Sequence, residues 1–247
     1  MIKIFKRIQK RIKRRFWQKQ MIRRYQVNHV DEHLPWDWEK EKFNRVSFIN
    51  AAIQQIMCRR GHCRYLEIGC LNDDAFKTIP LKIGDKIGVD PEKGGTHRMT
   101  SDAFFASNND LFDVIFIDGL HEYLQCQRDA INALNHLVNG GFILFHDFIP
   151  TDWRIEHVPR LQDAWTGDVW KVGYELSLNP GVEMVIAKAD NGVGIVRKIS
   201  EVPSYQDLRE SLLHERFRHF LSIIDRLPIV EAESALDFIA RKSPIPQ

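Results

Sequence analysis

The 247-residue sequence lacks the features that define several whole classes of protein. It has only four cysteines, widely scattered, so a disulfide-stabilised scaffold is excluded. No apolar run approaches the roughly 18 residues of a membrane-spanning helix. Hydrophobic residues at 44% and charged residues at 28% exclude global disorder. A globular protein remains, and we expect it in the cytoplasm.

Acidic residues are missing from the first 25 positions, which hold eleven Lys or Arg; the first carboxylate is Asp31. The rest of the chain carries 24 basic and 33 acidic residues, a net charge of −9. On a helix, five apolar residues of this segment fall within an arc of about 120°: Ile4, Phe5, Ile8, Ile12 and Phe16. The pattern predicts a basic amphipathic helix.

The sequence leaves three alternatives for what this basic segment, residues 1–25, binds. With Trp17 beside the stripe, the helix could lie on an anionic membrane, which would make the protein peripheral there. It could instead pack on the acidic body of its own or a neighbouring subunit, giving a homo-oligomer. Nucleic acid phosphates are a third partner, which we do not expect. The charges that interrupt the segment exclude a secretory signal.

Glycine is absent before Gly61, and all fourteen glycines lie in the remainder, where turns of an α/β fold need them. A helical pattern over about 38–58 precedes short apolar runs that alternate with helical stretches. These features predict an α/β, doubly wound, mostly parallel sheet. The sequence 190–192, between two further apolar runs, predicts an antiparallel edge hairpin.

Helical additions are predicted at both ends of this α/β unit. We divide the chain into a basic N-terminal arm (1–34), the α/β domain (35–200) and a C-terminal helical extension (201–247). The extension has the pattern of two helices.

Polar residues follow the predicted strands at the edge where ligands bind in doubly wound sheets. One further acid, Asp102, lies in the intervening segment. The residues that follow the strands are Glu67, Gly69, Asp90, Asp118, His146 and Asp147. Helix capping explains any one acid here, but it does not explain five at the same edge.

Four segments together resemble the class I S-adenosylmethionine (SAM)-dependent methyltransferases: Tyr65–Gly69, Gly88–Pro91, Phe112–His121 and Gly140–Asp147. The resemblance covers roughly residues 62–198. The Asp-Gly-x-His segment at Asp118–His121 is similar to a branch that methylates oxygen atoms of small molecules and sugars. The resemblance implies a Rossmann-like methyltransferase fold.

The resemblance also implies a set of cofactor contacts. It implies that Glu67 and Gly69 hold the methionine part of SAM and that Asp90 binds both ribose hydroxyls. It also implies that Asp102 and Ala103 contact adenine and that Asp118 lies beside the sulfonium. One departure is Asp73, which stands where the family has a second glycine. Its charge would repel the methionine carboxylate unless it turns outward to cap the following helix.

Methyl transfer to oxygen needs an aligned acceptor and a group that takes its proton. His121 is the predicted general base, beside Asp118; His146 is a weaker candidate, expected to be a satisfied core histidine. Asp118 and Asp147 could share Mg²⁺, which would lower the pKa of the acceptor oxygen. Trp153, Trp165 and Trp170 are mostly expected in the core.

The leading hypothesis is a SAM-dependent methyltransferase acting on a hydroxyl of a small hydroxylated or glycosylated molecule. One alternative is a methyltransferase-like binding protein without catalysis, motivated by Asp73 and by the unusual basic arm. The other is an RNA methyltransferase that uses the basic segment. The Asn-Pro-Pro-Tyr type motif of many base-methylating enzymes is absent after Ile117, which disfavours the RNA enzyme.

Overall fold

The computed structural model describes residues 2–26, 33–36, 42–200 and 205–241. The helices are α1 (Ile2–Gln26), α2 (Arg45–Arg60), α3 (Ser101–Ser107), α4 (Tyr123–Asn135), α5 (Trp153–Glu156), α6 (Trp170–Ser177), α7 (Arg209–Leu212), α8 (Phe217–Ile223) and α9 (Ala232–Ala240). The strands are β1 (Tyr65–Ile68), β2 (Lys86–Val89), β3 (Phe112–Ile117), β4 (Leu137–Phe145), β5 (Val182–Ala187), β6 (Val193–Lys198) and β7 (Ile229–Val230).

The strands form one sheet in the order β2-β1-β3-β4-β6-β5-β7. The first four in this order are parallel to one another, whereas β6 is antiparallel to both β4 and β5. The chain runs from β1 outward to β2 and then returns to β3 on the other side of β1. This reversal is the topological switch point, where open α/β sheets bind ligands. The predicted fold class is confirmed, and a two-residue β7 pairs outside the hairpin.

Alternate residues of the buried strands enter two separate hydrophobic cores, one on each face of the sheet. Ile115 and Ile117 of β3 belong to one core, whereas Val114 and Phe116 belong to the other. Helices α4, α6 and α8 cover the first face, and α2 and α9 cover the second. Both faces are therefore dry, as the near-continuous apolar strands predicted.

Three boundaries differ from the sequence prediction. Helix α2 begins at Arg45, because the Asn44 side chain caps it by accepting the backbone N–H groups of Val46 and Ser47. Strand β4 begins at Leu137, well before its apolar run. The C-terminal segment forms three helices and β7 instead of two helices, and β7 joins the main sheet; residues 201–204 and 242–247 lie outside the described part.

Helix α1 packs on the body through its C-terminal part, where Met21, Ile22 and Tyr25 contact the first core. Among the described residues, no helix combines the length and the apolar character needed to cross a bilayer.

Candidate active site

A cavity of about 1030 Å³ runs along the carboxyl ends of β1 to β4, over the switch point. It is lined by most of the residues that the sequence nominated: Glu67, Gly69, Asp90, Asp102, Asp118, His121, His146 and Asp147. The tertiary structure thus brings together residues that are up to 80 positions apart in the sequence.

Gly69 brings the loops after β1 and β3 into direct contact. Its φ of +89° is in the left-handed region that favours glycine, and a Cβ there would lie 2.1 Å from the backbone oxygen of Asp118. Any side chain at position 69 would therefore push the two loops apart. This close approach fixes the floor of the cavity beside Asp118.

Glu67 is buried at the end of β1 with its carboxyl group at the cavity wall. The Tyr65 hydroxyl donates a 2.6 Å hydrogen bond to its Oε2. Burial raises the pKa of Glu67 to about 7, against the opposing effect of the Tyr65 hydrogen bond. Glu67 therefore changes charge near neutral pH.

Asp90 organises the loop after β2. Its Oδ2 accepts the backbone N–H of Leu71, and its Oδ1 accepts those of Glu92 and Lys93, at 2.7–2.8 Å. A carboxylate has about four lone-pair positions, so three are used and capacity remains for a further donor. The side chain is buried yet lines the cavity.

Asp102 and Ala103 lie in the first turn of α3, which Thr100 caps by accepting the Ala103 backbone N–H at 3.2 Å. Asp102 lines the cavity, and its carboxylate lies 3.4 Å from the guanidinium of Arg128. Ala103 is exposed and is not among the described residues that line the cavity.

Asp73 turns away from the cavity, but not to cap a helix. Its Oδ1 accepts the Gly95 backbone N–H at 2.6 Å, and its Oδ2 lies 3.2 Å from the Lys77 ammonium. The Gly95 hydrogen bond is the main cause that lowers the pKa of Asp73. The expected helix cap is therefore wrong, because the turn residues 71–75 lead only into a short 3-10 helix, Phe76–Thr78, which has no side-chain cap. Asp74 lines the cavity in its place.

Asp118 and Asp190 share one guanidinium, that of Arg45 at the first position of α2. The shortest distances are 2.7 Å from Arg45 Nη1 to Asp118 Oδ2 and 2.9 Å from Arg45 Nε to Asp190 Oδ2. Burial opposes ionisation of both acids, but neighbouring histidine and arginine charges outweigh it and hold the pKa of Asp118 and of Asp190 well below the ordinary value. Both carboxylates are ionised in the folded protein.

His121 lies between two carboxylates. Its Nε2 is 3.3 Å from Asp118 Oδ1, and its Nδ1 is 3.0 Å from Asp147 Oδ2 and 2.9 Å from the Trp165 backbone oxygen. Burial lowers the pKa of His121, but the two carboxylates outweigh it and raise the pKa above its ordinary value. The ring also stacks on Trp165, with centroids 5.3 Å apart.

His146 is buried, and its ring nitrogens lie 3.1–3.3 Å from oxygens of Asp118, Asp147 and Asp190. The angles at these contacts do not make hydrogen bonds, and neither nitrogen has a hydrogen-bond partner in the described part of the chain. Burial lowers the pKa of His146, but the surrounding carboxylates raise it well above its ordinary value. The expectation of a satisfied core histidine is thus wrong.

Asp118, His121 and Asp147 could hold a metal ion, because each offers a ligand atom and these atoms lie within 4.8 Å of one another. A divalent cation bound here would replace the protons that the two imidazoles carry, because three carboxylates and one guanidinium are left with a net negative charge once both imidazoles are neutral. His146, whose nitrogens contact these carboxylates without a hydrogen bond among the described residues, borders the same site.

Of the three tryptophans expected mostly in the core, two lie in the core and one lies at the cavity. Trp153 and Trp170 are buried, whereas Trp165 lines the cavity and carries the guanidinium of Arg160 over its ring at 5.6 Å. Trp165 therefore offers an aromatic surface next to His121.

Arg45 and Asp190 are site residues that the sequence did not single out. Arg45 was one polar position in a helical pattern, and Asp190 was part of a turn signal. Positive φ angles at Asp190 and Asn191 fit that turn. The turn also projects the Asp190 carboxylate to the cavity, a second role that a local turn signal does not indicate.

Residues 89–148 match a family model described as a methyltransferase domain. The matched stretch begins at the end of β2 and contains Asp90, Asp118, His121 and Asp147. A comparison with curated proteins gave no significant match.

Three solved structures illustrate the similar chains. An O-methyltransferase from Bacillus cereus in complex with SAH is 13% identical, with a TM-score of 0.46 over 75% of this chain and 90% of that one. SAH-bound Podospora anserina methyltransferase PaMTH1 is 15% identical, with a TM-score of 0.45 over 76% and 87%. MycE from the mycinamycin biosynthetic pathway, in complex with Mg, SAH and mycinamycin VI, is 15% identical, with a TM-score of 0.41 over 68% and 54%.

Residues 89–148 thus match a methyltransferase-domain model, and the predicted site residues other than Ala103 meet in one cavity at the switch point of the sheet.

Proposed function

We propose that the protein is a SAM-dependent methyltransferase that methylates a hydroxyl of a small hydroxylated or glycosylated molecule. One observation carries the proposal: a single cavity joins Gly69 and Asp90, on the proposed cofactor side, to Asp118 and His121 on the proposed acceptor side. Both halves of a two-substrate site are therefore continuous, as direct transfer between bound molecules requires.

On the cofactor side, we assign Glu67 to the methionine ammonium, Gly69 to close contact with the methionine part, and Asp90 to the ribose hydroxyls. The unused lone pair of Asp90 supports this assignment for one of the two hydroxyls, since one further donor can be accepted. Asp102 remains a candidate for the adenine end. The exposed position of Ala103 gives its proposed adenine contact no support.

On the acceptor side, we assign His121 as general base. The acceptor hydroxyl oxygen attacks the methyl carbon, its O–H proton passes to His121, the new O–C bond forms and the C–S bond breaks, releasing S-adenosylhomocysteine. Asp118 and Asp147 stabilise the resulting imidazolium, because their oxygens lie 3.3 and 3.0 Å from its two nitrogens. Trp165 offers a flat face for a ring-shaped acceptor.

Asp118 and Asp147 are the residues that we propose would hold Mg²⁺, which leaves His121 to act as the base. The donor set also includes imidazole, which suits other divalent cations as well. When bound, such an ion would lower the pKa of the acceptor hydroxyl. Arg45 keeps the Asp118 carboxylate oriented in either case.

Isothermal titration calorimetry with SAM, with and without Mg²⁺, is the first test. We expect micromolar binding that Asp90→Asn weakens, and subsequent loss of methyl transfer in His121→Gln with unchanged SAM binding. Folded protein that binds no SAM would overturn the proposal and favour a binding protein without catalysis. Asp73 gives that alternative no support, because its carboxylate faces Gly95 and Lys77, whereas Asp74 lines the cavity.

A further inference from the structure

Helix α1 has two apolar faces, and the body of the protein covers only one of them. Met21 and Tyr25 pack on the core, and the Tyr25 ring lies 4.8 Å from that of His157. At 100° per residue, Ile12 and Phe16 lie on roughly the opposite side of the helix. Their exposed fractions are 62% and 64%, so this second face is uncovered.

The uncovered face contains Ile12 and Phe16, the two residues of the predicted apolar stripe whose side chains the structure describes. The other stripe residues fall on the same side by helical periodicity, although the side chains of residues 1–8 are outside the described part. Packing on the protein's own body therefore leaves most of this stripe exposed where the structure describes it, although Ile12 and Phe16 border a groove with Leu161. The exposed face is available to an external partner.

Charge identifies the chemistry of that partner. The described part of α1 exposes seven basic side chains: Arg11, Lys13, Arg14, Arg15, Lys19, Arg23 and Arg24. Arg14 already pairs with Asp163 at 2.5 Å, and no acid occurs within residues 1–25. An apolar stripe bordered by basic residues, with Arg15 and Lys19 on the stripe itself toward its C-terminal end, matches a bilayer with anionic headgroups, where apolar side chains enter the interface and lysine and arginine stay at the headgroups.

The stripe adjoins the mouth of the active-site cavity. Ile12, Phe16 and Ile22 line a groove of about 480 Å³ with Leu161 and Asp163. Asp163 also lines the main cavity, as do its neighbours Arg160 and Trp165. A surface bound by α1 would therefore lie next to the entrance on the Trp165 side.

We propose that α1 docks the protein on an anionic lipid surface through Ile12, Phe16 and the flanking basic residues, with the cavity mouth beside the bilayer. This proposal is independent of the proposed methyl transfer, since it concerns only the outer face of α1. It selects one of the three partners that the sequence left open.

The test is co-sedimentation of the full-length protein with vesicles of phosphatidylcholine alone or mixed with phosphatidylglycerol. We expect binding only to the mixed vesicles, weakened by salt. Ile12→Ser combined with Phe16→Ser should weaken it at least tenfold, and Lys13→Gln combined with Lys19→Gln should do the same. The matched control is Lys82→Gln combined with Ile83→Ser, an exposed basic and apolar pair elsewhere, which should bind normally.

Equal binding to both vesicle types, or no effect of the Ile12 and Phe16 substitutions, would overturn the proposal. Light scattering of the same variants addresses the competing partner. A wild-type dimer that becomes monomeric on substitution of Ile12 and Phe16, with no vesicle binding by either form, would show that the stripe is a subunit interface. Unchanged thermal unfolding of the variants confirms that α1 still packs.

Discussion

Two buried polar clusters of the molecule differ in how far their hydrogen bonds are completed. Glu175 of α6 is fully buried and accepts four hydrogen bonds. The donors are the hydroxyls of Tyr123 and Tyr205, the Gln127 amide and the Leu208 backbone N–H, all at 2.6–2.8 Å. This cluster joins α4 and α6 to the segment before α7 and leaves its carboxylate without spare capacity.

The cavity cluster at the ends of β3 and β4 contains more charged groups than the Glu175 cluster and fewer hydrogen bonds. Asp118, Asp147 and Asp190 surround His146, yet neither nitrogen of His146 has a hydrogen bond from the described residues. Buried polar groups in folded proteins are nearly always paired, so an unpaired one marks a place where something else binds or reacts. The comparison separates a cluster that stabilises the fold from one that is arranged for a ligand.

The largest effect is expected from breaking the complete cluster. Glu175→Ala leaves two tyrosine hydroxyls and the Leu208 backbone N–H without this acceptor, whereas the Gln127 amide keeps Asp207, and we expect it to lower the free energy of unfolding by about 4 kcal/mol. Urea denaturation measures this. Glu175→Gln keeps one acceptor oxygen and should lose less, and exposed Glu210→Ala should have no effect. A loss below about 1 kcal/mol for Glu175→Ala would contradict the structural role.

Glu156 is an intermediate case, a buried carboxyl outside the cavity lining with one hydrogen bond, from Trp170 Nε1 at 3.2 Å. Burial raises its pKa from 4.5 to about 7. Because the folded pKa is the higher one, the stability that Glu156 contributes is present below pH 4.5 and is lost as pH rises through 7.

Glu156→Gln should therefore stabilise the protein by about 3 kcal/mol at pH 8, relative to wild type, and should change little at pH 4. Urea denaturation at the two pH values checks this, with Glu210→Gln as the exposed control. An equal change in the free energy of unfolding at both pH values would show that the ionisation of Glu156 does not cause it.

In the cavity cluster, substitution should affect chemistry more than stability. Asp147 has a φ of +66°, which asparagine tolerates, so Asp147→Asn keeps the backbone and removes only the charge. We expect methyl transfer to fall about 100-fold, equivalent to about 2.7 kcal/mol, because His121 and His146 lose a carboxylate partner. Rates with the acceptor found by screening, alongside urea denaturation, provide the measurement. Exposed Asp110→Asn is the control; a stability loss comparable to that of Glu175→Ala would make this cluster structural too.

The smallest effect concerns Glu67 and the cofactor. With a pKa of about 7, Glu67 is increasingly protonated below neutrality and cannot then attract the methionine ammonium. SAM affinity should therefore increase severalfold between pH 6 and pH 8, by less than the tenfold per pH unit that is the limit for one proton. Calorimetry across this range tests it, and Glu67→Gln should remove the dependence. A pH-independent affinity in wild type would place the ammonium elsewhere.

The cavity cluster was more predictable from sequence than the Glu175 cluster. Asp118 and Asp147 directly follow apolar strands, and the carboxyl ends of parallel strands necessarily meet at one edge. The Glu175 cluster has no such rule, since Glu175 is one polar residue in a short helix and its donors come from two other segments, α4 and the stretch before α7. The same limit applies to Arg45, whose role depends on where α2 begins relative to β3.

The sequence by itself determined the alternation of buried strands and helices, the edge at which the polar residues collect and the basic amphipathic character of residues 1–25, because each depends on local periodicity or on the order of segments. Only the tertiary structure decided which polar groups are paired. It turned Asp73 toward Gly95, left His146 without hydrogen bonds and placed Ile12 and Phe16 outward. Pairing and exposure depend on side chains from distant segments, whose meeting point no local pattern encodes.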